Sequence, residues 1–76
     1  MPPTMAETAR FARWFMGVTG TTYAEAADRL SASAGRHLDD PMYPAAIAWL
    51  HCAALWGTVD LDRAAVNQDA QIAEAD

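Results

Sequence analysis

His51 and Cys52 stand side by side in the stretch AAIAWLHCAALW, residues 45–56. A thiol and an imidazole are the groups from which a nucleophile and its base are assembled. Neighbouring residues on a helix, however, diverge by about 100°, so these two cannot pass a proton between them there. A lone cysteine in an apolar run reads instead as a small core hydrophobe. The chain's other donors are His37, Asp39 and Asp40, which with His51 and Cys52 could in principle converge on a cation. No paired C-x-x-C spacing organises them as a zinc site. The expectation is a protein with no catalytic residue, no metal ligand and no cofactor, and therefore not an enzyme.

The aromatic residues point toward binding. Trp14 falls on a helical projection among Glu7, Arg10 and Arg13, away from the apolar side. Tryptophan and arginine together are enriched at the energetic centres of protein interfaces. The candidate contact residues for a protein partner, or for a second copy, are Arg10, Trp14, Trp49, His51, Leu55 and Trp56.

One segment suggests a different class. EAADRLSASAG, Glu25–Gly35, resembles the first part of a bacterial helix-turn-helix. The resemblance implies a recognition helix opening at Ser33, Arg36 and His37. Asp39, Asp40 and Pro41 stop such a helix almost at once. The chain also carries a net charge of −5, with arginine its only cationic residue besides histidine. Attraction to phosphate supplies much of the affinity for DNA, so nucleic acid is disfavoured. A DNA-binding regulator is the alternative to a protein-binding module, and a metal- or thiol-dependent sensor is a third reading.

Helices must position these residues. Thr4 and Glu7, then Thr22 and Glu25, have the spacing of capping boxes, in which each threonine and glutamate satisfies the other's amide. The first predicts a helix from Met5 to Met16 ended by Gly17, with Met5, Ala9, Phe11, Ala12, Phe15 and Met16 inward. The second predicts a helix from Tyr23 to Ala34 with a stripe of Tyr23, Ala26, Ala27, Leu30 and Ala34. Glu25 and Arg29 are spaced to pair along it. Asp40 and Pro41 suit a helical start, and a third helix is expected from Pro44 to Trp56. Asp60 reads as the N-cap of a fourth, from Leu61 to between Asn67 and Ile72. Its inner face would be Leu61, Ala65, Gln68 and Ile72, with Gln68 an interruption.

The fold class is therefore all-α: a small bundle of three or four short helices around a central apolar helix. One domain spans residues 1–76, packed from about 5 to 66, with an acidic end from 67 to 76 that frays. The third helix has three apolar sides, one of them Ala48, His51 and Leu55. A helix apolar all round is normally surrounded, and three short neighbours can cover only two sides. A chain of 76 residues with one cysteine has no disulfide to supplement a small core. A homodimer follows, within a non-enzymatic protein-interaction module of the type of a small regulator or inhibitor. The arginine-only composition suggests a bacterial or phage source. No secretory signal is visible, and the apolar run is short of the about 20 residues of a membrane span. The location is expected to be cytoplasmic.

Overall fold

The computed structural model describes residues 1–75. Four α-helices follow in order: α1 (Met5–Thr19), α2 (Tyr23–Ser33), α3 (Met42–Trp56) and α4 (Val59–Ala75), with a 3-10 turn at Ala34–Arg36. There is no strand among the described residues. The chain is a small all-α bundle, as its sequence predicts.

Both capping boxes form. Thr4 Oγ1 accepts from the Glu7 amide at 3.1 Å, and the Glu7 carboxylate accepts from the Thr4 amide at 2.9 Å. Thr22 and Glu25 repeat the pattern at 3.2 and 3.0 Å. The amides of Thr4 and Thr22, followed by the threonine hydroxyl contacts, hold the two glutamates below the ordinary carboxylate pKa. A carboxyl with a lowered folded pKa contributes stability above its unfolded pKa and loses it as pH falls through the folded value. Thermal stability followed by circular dichroism should thus decline below about pH 4.5, the region where glutamates protonate. Replacing both Glu7 and Glu25 by Gln should make that decline shallower. An equally steep acid limb in the double variant would contradict this account. Because Glu25 serves the cap, the expected Glu25–Arg29 pair is absent; the ion pairs among the described residues are Arg13–Asp62 and Arg63–Asp60.

Four helix boundaries differ here from the sequence reading. α1 continues through Gly17 and ends at Gly20, whose φ of 64° is the left-handed C-cap. Glycine is tolerated inside a helix at about 1 kcal/mol. The end is closed by the amides of Gly20 and Thr21, which both donate to the Met16 carbonyl, at 2.8 and 3.3 Å. α3 starts at Met42, two residues before the expected Pro44, because the Asp40 carboxylate accepts from the Met42 amide at 2.9 Å. α4 opens at Val59, before the expected Asp60 cap; the Thr58 carbonyl accepts its first bond, from Asp62, at 2.8 Å. α2 stops at Ser33, one residue short of the expected end. The Ser33 hydroxyl turns back to the Arg29 and Leu30 carbonyls.

α4 runs on to Ala75, beyond the expected end between Asn67 and Ile72, with no buried residue and no base in its last turn. Alanine propensity at Ala70, Ala73 and Ala75 sustains it. Asp76, the last residue of the expected acidic end, lies outside the described residues.

The core is small. Its buried apolar residues are Ala9, Ala12, Ala26, Ala27, Ala46, Ala53, Leu30, Leu50 and Trp49. Only the last three are large. Alanines let α1, α2 and α3 approach closely but remove little apolar area from water. Phe11, Phe15, Met16 and Tyr23, all expected inside, pack only partly against this centre. Thr8, unassigned in the sequence reading, is buried and satisfied by donating to the Thr4 carbonyl at 2.8 Å. The molecule measures 37 × 28 × 19 Å. Its shortest dimension is about two helix diameters, so a helix in one layer keeps an outer face.

Candidate protein-interaction surface

α3 carries that outer face. Its inner side, Ala46, Trp49, Leu50 and Ala53, is buried against α1 and α2. The opposite side, Pro44, Ala48, His51 and Leu55, is exposed along the helix. The sequence implied one uncovered side of three without saying which; the structure leaves this one. Leu55 is 70% and Trp56 76% exposed. The 15-residue helix contains no Asp, Glu, Lys or Arg.

A groove of about 280 Å³ runs along one flank of this stripe. Ala45, Ala48, Trp49 and Cys52 of α3 form one wall; Met5 and Thr8 of α1 and Leu61 of α4 form the other, with Pro3 at one end. The groove exists because α4 leans on α1 and touches α3 little. Two contacts set that lean. The Met5 amide, unpaired within its own helix as a first-turn donor, donates to Gln68 Oε1 at 2.7 Å. Arg13 donates to Asp62 Oδ1 at 2.8 Å while its guanidinium carbon sits 5.2 Å from the centre of the Trp49 ring. A half-exposed ion pair is worth about 0–1 kcal/mol; the cation–π contact contributes about 0.5–1 kcal/mol at such a site.

The expected contact residues divide three ways. His51, Leu55 and Trp56 lie on the exposed part of α3. Trp49 is 5% exposed, edge-on to Tyr23 with ring centres 6.1 Å apart. It lines the groove from inside the bundle and offers no outer surface. Trp14, 60% exposed, and Arg10 lie on α1. Trp14 begins a chain of aromatic contacts through Phe11 and Tyr43 to His37, which stacks on Tyr43 at 4.2 Å. That chain borders the flank of α3 opposite the groove.

Arg13 and Gln68 are the positioning residues that the sequence reading missed. Arg13 was assigned to the solvent side and Gln68 read as a flaw in an apolar face. Each makes a side-chain hydrogen bond to a distant element.

The chemistry weighed from sequence alone finds no geometry here. Ser33 closes α2, Arg36 ends the 3-10 turn and His37 follows it, so none of the three opens a helix. The helix that follows, α3, carries no Asp, Glu, Lys or Arg. The implied recognition helix is therefore not formed. Nor do His37, Asp39, Asp40, His51 and Cys52 converge: no group of three such ligands occurs among the described residues. His51 lies nine residues into α3, about 13 Å along the axis from its start. No helix among the described residues is long and apolar enough to cross a membrane.

No protein-family model, curated protein or solved structure matches this chain. Its surface is thus the source of any functional reading.

Proposed function

We propose that the chain is a non-enzymatic protein-interaction module that associates with a second copy of itself through the outer face of α3. The observation that carries this reading is an imbalance of burial. Three large apolar side chains are inside, while nine are exposed: Met1, Trp14, Val18, Leu38, Leu55, Trp56, Val59, Val66 and Ile72. Single exposed apolar residues are ordinary; a continuous uncharged helix face beside an apolar groove is not. Each Leu-sized side chain taken from water contributes about 1.5–3 kcal/mol. Charge favours the same surface. Two copies at −5 each repel through most of their surfaces, and α3 is where they approach without opposing carboxylates. A cytoplasmic regulator or inhibitor of the size encoded by phages and mobile elements suits this reading, with the Trp14 flank left free for a different protein.

Sedimentation across the micromolar range tests it, since a Kd of about 1 µM corresponds to about −8 kcal/mol. The expected result is a concentration-dependent rise from 8.2 kDa toward twice that mass. A single 8.2 kDa species throughout would remove the proposal.

A further inference from the structure

We infer that α4 is a hinged strap: it lifts from α1 about Gly57 while α1, α2 and α3 stay folded, and in lifting it removes one wall of the groove. The packing divides the chain at that joint. The three large core side chains, Leu30, Trp49 and Leu50, stand on α2 and α3, and the buried alanines on α1, α2 and α3. α4 adds no fully buried residue. Of its 17 residues, Leu61, Ala64, Ala65 and Gln68 are half-buried and the rest are exposed. Leu61 is the one apolar side chain of α4 that packs against the core.

Among the described residues, two hydrogen bonds hold the strap down, one near each end of its overlap with α1. Asp62 accepts from Arg13 in a pair half exposed on both sides. Gln68 accepts from the Met5 amide, at a part-buried site. Water can replace both partners once the helices separate, so lifting strands no polar group in the interior. Thr8, beneath the strap, keeps its own bond to the Thr4 carbonyl.

The joint permits the movement. Gly57 and Thr58 are the whole connection between α3 and α4. Gly57 has φ 80° and ψ −172°, a region essentially reserved for glycine. A side chain there would meet nothing within 4 Å, so nothing packed on the joint locks it. A few residues at the end of an element are enough to form a hinge. Once lifted, α4 also unwinds. Most helical stability in proteins comes from a docked apolar face, and the last turn of α4 has no base to offset the helix dipole.

The effect falls on the groove. Leu61 is the residue α4 contributes to its wall. With the strap lifted, the surface from Met5 and Thr8 to Ala48 and Cys52 opens on that side. Access to it is then set by the latch at Asp62 and Gln68.

Native-state hydrogen exchange on the unaltered chain tests this, at a dilution where any self-association is absent. The amides of Ala64, Ala65 and Gln68 are expected to share one protection, at least about tenfold below that of Trp49, Leu50 and Ala53. Urea below the unfolding transition separates the two events, because the response to denaturant scales with the surface exposed. The α4 amides should respond weakly and the α3 amides steeply. Equal protection and equal urea response in both helices would make the chain one cooperative unit and overturn the strap. Protection that falls steadily from Ala64 to Ala75, with no common value, would be fraying from the helix end and would overturn it as well. Gln68→Met keeps helix propensity and removes the oxygen that holds Met5. Protection of α4 should then fall about two- to tenfold, with the far-UV spectrum unchanged. Unaltered protection in that variant would overturn the latch at Gln68.

Discussion

Leu50→Ala should destabilise the fold by about 2–5 kcal/mol, the range for a buried Leu→Ala change that leaves a cavity. Leu50 and Leu30 are the largest side chains fully removed from water, and Leu50 sits on the inner side of the central helix. Much of what surrounds it is alanine, which has no rotamers with which to fill a hole. A domain of this size has a total stability of about 4–11 kcal/mol at the usual 0.05–0.15 kcal/mol per residue. The substitution therefore removes a large fraction of it. Urea unfolding at one fixed protein concentration, followed by far-UV circular dichroism, measures the loss. A change below about 1 kcal/mol, the level of an ordinary surface substitution, would show that the packing around Leu50 is not the centre of the fold.

Leu55→Arg should leave the helices intact and weaken self-association at least a hundredfold. Leu55 is 70% exposed in the single chain, so the fold does not depend on its burial. In a two-fold pair the change is made twice. Two lost leucine burials at about 1.5–3 kcal/mol each convert, at about 1.4 kcal/mol per decade, to about a hundredfold or more. Two guanidinium groups held against an apolar helix face add a desolvation cost. Sedimentation supplies the association constant, and circular dichroism supplies the helix content. A folded variant that dimerises like the parent would move the interface away from α3. An unfolded variant would place Leu55 in the core, against its exposure. Trp14→Ala, on the other flank, serves as the control with unchanged association.

The legible parts of this protein were those written within a few residues of one another. Thr4 with Glu7 and Thr22 with Glu25 fixed two helix starts, because a capping box closes over three residues and needs no tertiary partner. Helix ends were less legible. Gly17 and Gly20 carry the same permissive backbone, and the sequence does not say which of them turns left-handed; in the fold it is Gly20, whose amide closes on Met16.

The candidate surface was half legible. The composition of α3 already implied an outer stripe, and Ala48, His51 and Leu55 form part of it. Its neighbouring groove was not readable, since its walls come from three helices. That groove depends on the lean of α4, set by Met5 to Gln68, 63 residues apart, and by Arg13 to Asp62, 49 apart. A polar residue on a projection cannot reveal whether its partner will be water or a distant backbone amide. The sequence alone thus determined the helical class, the two capped starts and the surplus of apolar surface on one helix, because these follow from local hydrogen bonding and composition. Tertiary structure decided which stripe stayed open, that Trp49 turned inward beneath Arg13, and where a groove was left, because those outcomes rest on how whole helices dock.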